Sequence, residues 1–178
     1  TDAGGVGVSA ADLSAIGADT TGTVTVSNAV VITGSRSEVT DALVTNASKV
    51  VASTALVTIN DGNSTAINAT DLSDIGSATG GDVTVTNAIA ISGTTSEVTA
   101  ALVTGSSKVI ASTATVTLND LANVDLLASD LTAIGSSTGG QVSVSNAVNI
   151  TGSVAEINSA LVTGSSKVVL SSGTTTVK

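Results

Sequence analysis

Phenylalanine, tryptophan, tyrosine, histidine, cysteine, methionine and proline are all missing from this chain. Each absence excludes something. Without cysteine there are no disulfides and no thiolate metal sites, and the chain suits either side of a membrane. Without histidine, cysteine or tyrosine, the usual bases and nucleophiles reduce to Ser, Thr, Lys, Asp and Glu. Without aromatics there is no platform for stacking bases, and any core must be filled by small branched aliphatics. Positive charge is scarce too: Arg36, Lys49, Lys108, Lys167 and Lys178 stand against 14 acidic residues, for a net charge of −9. That balance argues against nucleic acid and against anionic membrane surfaces as partners. No apolar run approaches the roughly 18 to 20 residues of a spanning helix, so membrane insertion is not expected. From Thr1 the chain begins in mid-pattern, without the basic and apolar segments of a secretion signal. It is nevertheless not a disordered composition, since 42% of the residues are hydrophobic and only 11% charged.

What is present is one 59-residue unit written three times without insertion or deletion. Asp12-Leu13, Asp71-Leu72 and Asp130-Leu131 keep that spacing, as do Asn28/Asn87/Asn146, Glu38/Glu97/Glu156 and Lys49/Lys108/Lys167. Tandem copies that never drift in length imply that each packs on its neighbours, because an indel would be penalised along the whole stack. The chain therefore reads as a single unit over 1–178, with repeats at 2–60, 61–119 and 120–178.

Within the first repeat, Ala10 to Gly17 reads as a short helix with Leu13 and Ile16 on one face, Asp12 in its first turn and Gly17 as its C-terminal stop. Thr23 to Asn28 alternates polar and apolar as a half-buried strand does, and Val30 to Ile32 reads as its continuation past a bend. Ser35-Arg36-Ser37-Glu38 is a capping box, repeated at Thr94–Glu97 and Ser153–Glu156, with Val39, Ala42 and Leu43 as the buried face of the helix behind it. Lys49 to Ala52 and Leu56 to Asn60 are further strands. The expected fold class is mainly β: a repeat solenoid of parallel strands with short helices at the corners, each 59-residue repeat making two coils. Equivalent residues of successive repeats would then form columns spaced about 10 Å apart. The core would contain Val24, Val26, Ile32, Leu43, Val57, Ile59 and their equivalents, and Asn28, Asn87 and Asn146 would stack as an amide ladder.

Candidate chemistry is sparse. Glu38 with Asp12 or Asp41 could form a carboxylate pair, but local logic gives Glu38 to the capping box and Asp12 to the helix start. Asp41 becomes Ala100 and Ser159, outside the repeating frame. The chain is not expected to be an enzyme, and no catalytic residue or cofactor is assigned. For a metal, the loops offer calcium candidates, Asp61 with Asn63 and Asp120 with Asp125, hard-oxygen donors without the dense spacing of a calcium loop. Polar turns are the simpler reading of them. Thr-x-Thr pairs such as Thr84/Thr86 and Thr115/Thr117 suggest ice-binding faces, but they fall in different columns of the repeat, so no regular Thr lattice is expected.

Phrases such as Gly22-Thr-Val-Thr-Val-Ser-Asn-Ala29 and Asp12-Leu-Ser-Ala-Ile-Gly17 make the whole chain resemble repeat regions of very large bacterial surface and secreted proteins. Those of cyanobacteria and some proteobacteria, often attached to haemolysin-type or adhesin modules, are similar in style. The resemblance implies an extracellular or cell-surface β-solenoid stalk, with no catalytic residues to transfer. The expected function is a structural repeat segment of a surface, filament or adhesin protein, acting as a rod or assembly module. Its expected partners are other copies or further repeats stacked on its ends. The alternative is a solenoid that binds calcium, glycan or ice, or a phage or virus fibre segment.

Overall fold

A computed structural model describes residues 2–178; Thr1, and the mid-pattern opening read from it, lies outside the described residues. The first repeat runs β1 (Gly7–Ser9), α1 (Ala10–Asp19), β2 (Val24–Thr25), β3 (Val31–Gly34), α2 (Arg36–Leu43), β4 (Val50–Val51) and β5 (Leu56–Ile59). The second runs β6 (Ala66–Asn68), α3 (Ala69–Ala78), β7 (Val83–Val85), β8 (Ala90–Gly93), α4 (Thr95–Val98, continued by wider turns over Thr99–Val103), β9 (Val109–Ile110) and β10 (Thr115–Leu118). The third runs β11 (Asp125–Leu127), α5 (Ala128–Ser137), β12 (Val142–Val144), β13 (Val148–Gly152), α6 (Val154–Leu161), β14 (Val168–Leu170) and β15 (Gly173–Val177).

The expectation of a mainly β solenoid is corrected. Among the described residues 34% are helical, in six α-helices and short flanking turns, and 29% are in strands, so the architecture is mixed α/β. The strands are two to five residues long, whereas α1, α3 and α5 each have ten. The helices lie where they are expected, whereas the strands are shorter than the alternation suggests, Thr23 to Asn28 being strand only over Val24–Thr25 and Lys49 to Ala52 only over Val50–Val51. Each second helix is closed at its start by the expected capping box. In the first, Glu38 Oε2 accepts from the Ser35 amide at 2.7 Å and Ser35 Oγ accepts from the Glu38 amide at 3.3 Å. Thr94/Glu97 and Ser153/Glu156 repeat it.

Two coils per repeat is also corrected. All strand pairs are parallel, and the pairing Gly7↔Val31, Val31↔Leu56, Val57↔Val83, Val83↔Val109 has offsets of 24, 25, 26 and 26 residues. One such pass visits three segments: β1, α1 and β2 before β3, or β5, β6 and α3 before β7. A repeat holds seven segments, five strands and two helices, so it ends one segment past two full passes. Equivalent strands therefore fall in different sheets. One sheet is ordered β1-β3-β5-β7-β9, a second β6-β8-β10-β12-β14, a third β11-β13-β15, and β2 pairs with β4. β2 and β3, expected as one bent strand, lie in separate sheets. The helices follow in file, α1 against α2, α2 against α3, and so on to α6.

Inside runs one apolar cluster from Ala10 to Ala160, built from Ile, Leu, Val and Ala. Ile32, Val57 and Ile59 are buried as expected, as are Val83, Val85, Val142 and Val144. Val24, Val26 and Leu43 are only partly buried. Burial of each such side chain contributes about 1.5–3 kcal/mol, and the middle repeat, covered from both sides, buries more of them than either neighbour.

Candidate functional site: the repeat junction

The chain's most elaborated chemistry is the set of bonds by which helices lock to the passes beside them. Gly17, Gly76 and Gly135 lie within α1, α3 and α5, not at their C-terminal stops as expected. They are glycine because a Cβ would overlap the carbonyls of Ser48, Ser107 and Ser166. Each of those serines donates its hydroxyl to a carbonyl of the second helix: Ser48 to Ala42 at 2.7 Å, Ser107 to Ala101 at 2.6 Å, Ser166 to Ala160 at 2.5 Å. The next residue is always a lysine in the left-handed region, with φ of 53° at Lys49, 54° at Lys108 and 55° at Lys167. A non-glycine there costs on the order of 1 kcal/mol. The ammonium groups offset this by donating to the Gly17, Gly76 and Gly135 carbonyls at 2.9, 2.9 and 2.6 Å. They sit in the last turns of those helices, where the dipole favours a cation.

A second set crosses from one repeat to the next. Asp61 Oδ2 accepts from the Arg36 amide at 2.5 Å, and Asp120 Oδ2 accepts from the Thr95 amide at 2.9 Å and the Thr95 hydroxyl at 2.7 Å. The second and third repeats thus each supply a carboxylate to the first turn of the preceding repeat's second helix, an orphan-amide position suited to an anion. Arg36 also pairs with Asp71 at 3.6 Å. Thr79 donates its hydroxyl to the Ala52 and Ala55 carbonyls, and Thr138 repeats this with Ala111 and Ala114. Gly80-Gly81 and Gly139-Gly140 let the backbone pass, since Cβ atoms there would overlap the carbonyls of Ser53 and Ala55, or Ser112 and Ala114. Ile75 and Ile134 are sealed at 0% exposure beside these junctions.

The calcium candidates are distributed among structural roles. Asp61 and Asp120 make the junction bonds above, Asn63 Oδ1 accepts from the Ala88 amide at 3.0 Å, and Asp125 Oδ1 accepts from Asn149 at 2.5 Å. Asp120, Asp125 and Asp130 line one groove of about 590 Å³ beside Thr95 and Leu127, while no three carboxylates gather as a metal cage among the described residues. Glu38, Glu97 and Glu156 are committed to their caps. Their pKa values lie below the ordinary glutamate range, chiefly through the backbone amides of Ser35, Thr94 and Ser153 and secondarily through those residues' hydroxyls.

The asparagines do not stack on one another. Asn28, Asn87 and Asn146 each donate to the carbonyl 26 residues earlier, Asp2, Asp61 and Asp120, at 2.5, 2.7 and 2.7 Å. The columns drawn at 59 residues were the wrong columns, because the chain stacks at 24–26. In the true rows, hydroxyls do align: Ser9, Thr33, Thr58 and Thr84 are neighbours across β1, β3, β5 and β7, a row closed by Ile110. No sequence period of 59 could have revealed it.

The first-repeat face is open. Val8, Leu13, Val24, Val26 and Val30 line a groove of about 210 Å³ there, with Asp2 at its rim. Ile16, equivalent to Ile75 and Ile134, is 54% exposed. At the other end Val177, equivalent to the fully buried Leu118, is 59% exposed. No helix among the described residues is long and apolar enough to cross a membrane. No protein-family model, no curated protein and no solved structure matches this chain.

Proposed function

We propose that this chain is a structural repeat segment of an extracellular surface, filament or adhesin protein, serving as a rod or assembly module through contact with further repeats or copies. One observation carries the reading: the same junction is built twice, with the same aspartate-to-amide, threonine-to-carbonyl and glycine–carbonyl contacts at Asp61/Thr79/Gly81 and Asp120/Thr138/Gly140. A unit whose polar side chains are spent on joining itself to its neighbour is suited to extension. The role is non-catalytic in this reading, since Glu38, the carboxylate weighed for acid–base work, and its equivalents Glu97 and Glu156 hold helix caps. The net charge of −9 keeps such an assembly soluble and away from nucleic acid.

Immuno-electron microscopy of the native source with antibodies raised against the chain tests this. Label along extracellular filaments, a surface layer or stalks is the expected result. Diffuse label inside the cell would overturn it.

A further inference from the structure

Resting on that reading, we infer that a second copy of this chain docks head to tail, the first-repeat face of one copy on the β15 edge of the other, reproducing the junction between repeats. The internal junctions dictate the register. β7 adds to β5 with Val57↔Val83, Thr58↔Thr84 and Ile59↔Val85, and β12 adds to β10 with Val116↔Val142 and Leu118↔Val144. The same 59-residue spacing sets β2 of the second copy beside β15, with Thr175 against Val24, Thr176 against Thr25 and Val177 against Val26. Among the described residues both strands are paired on one edge only, β2 to β4 and β15 to β13, and an open parallel edge is a template for another strand.

Residues on the open face retain junction chemistry that the isolated chain does not use. Among the described residues nothing lies within 4 Å of where a Gly22 Cβ would stand, yet its equivalents Gly81 and Gly140 are glycine because a carbonyl presses on them. In the docked pair, the Gly173 carbonyl fills that role. Thr20 corresponds to Thr79 and Thr138, whose hydroxyls donate across the junction; among the described residues its hydroxyl accepts from the Gly22 amide at 3.3 Å and donates to no carbonyl. Docking sets it on the Leu170 and Gly173 carbonyls. Asp2 corresponds to Asp61 and Asp120 and meets the Val154 amide, the position of Arg36 and Thr95. Ile16 is covered as Ile75 and Ile134 are. One residue departs: Thr21 stands where Gly80 and Gly139 avoid a carbonyl, so its side chain loosens this contact relative to the internal ones. A heterologous contact of this kind does not close on itself and extends into a filament.

The test is sedimentation of the full chain over a concentration series. Wild type should grow beyond a dimer. Ile16→Asp and Val177→Asp, both at sites exposed in the single chain, should keep the parent's circular dichroism and each remain monomeric alone. Mixed, they should form 1:1 dimers that grow no further, each supplying the face the other has lost. Thr21→Gly should tighten association by about tenfold, the effect of relieving one backbone clash. Wild type and Thr21→Gly both monomeric at the highest concentration would overturn the inference. So would loss of assembly in Ile16→Asp alone, or a mixture of the two variants that stays monomeric. Assembly surviving both substitutions would overturn it too, while leaving the rod reading standing on another face.

Discussion

Asp12-Leu-Ser-Ala-Ile-Gly17 and Asp71-Leu-Ser-Asp-Ile-Gly76 are nearly the same hexapeptide on nearly the same helix, yet Ile16 is 54% exposed and Ile75 is 0% exposed. The helices are alike because their causes are local and internal to the repeat: the Leu face, the glycine under a serine carbonyl, the lysine on the last turn. Burial differs because, among the described residues, the first repeat lies against the helix of Ile75 and no such repeat lies against that of Ile16. The comparison separates two kinds of stabilisation, one carried by every repeat and one that exists only at a junction.

The largest expected effect tests that separation directly. Ile75→Asp leaves an unpaired charge in the core and should cost roughly 3–5 kcal/mol in urea denaturation, while Ile16→Asp, measured in dilute monomer, should leave the midpoint near the parent's. Equal losses at the two sites would break the comparison. Next come the junction glycines. Gly81→Ala drives a Cβ into the Ala55 carbonyl and should cost about 1–3 kcal/mol, whereas Gly22→Ala should be neutral in the monomer; a costly Gly22→Ala would mean that the open face is packed in solution.

Capping boxes should behave in the opposite way, equally in every repeat. Thr94→Ala and Ser153→Ala should each cost about 1 kcal/mol, because an N-cap acts within three residues. A much larger loss at Thr94 would show that the caps too depend on the neighbouring repeat. The smallest effect is with pH. Glu38, Glu97 and Glu156 have lowered pKa values in the folded chain, so their stabilisation is present above the unfolded glutamate value, about 4.3, and is lost as pH falls through the lower folded value. Urea midpoints taken from pH 6 down to pH 3 should fall, and Glu97→Gln should reduce the slope. A slope identical to the parent's would show that this carboxylate does not carry the effect.

Local features were legible in the sequence. The S-x-x-E boxes announced their helices because both bonds close within four residues, and Ile32, Val57 and Ile59 announced the core through strand alternation. Reading α1 from Leu13 and Ile16 was sound, but the role of Gly17 was not visible, since the Ser48 carbonyl that demands it arrives 31 residues later. The calcium candidates were legible as oxygen donors only; that Asp61 and Asp120 cap helices of the preceding repeat follows from which pass lies beside them. Strand was overestimated because alternation marks which side chains face inward, not how many residues find a paired neighbour: only Val24–Thr25 and Val50–Val51 of the two first-repeat segments are strand.

By itself the sequence determined the length of the repeat, the helix starts, the apolar faces and the identity of the bonding groups, all set by contacts a few residues long or by spacing that can be counted. Only the tertiary structure decided which residues are neighbours. Seven segments per repeat, taken three to a pass, turn each repeat by one segment relative to the last, so Asn28, Asn87 and Asn146 separate while Thr33, Thr58 and Thr84 meet. The physical reason is that parallel pairing must satisfy every backbone donor and acceptor of a short strand at once. It selects the 24–26-residue offset at which strands meet strands, whatever period the sequence happens to repeat.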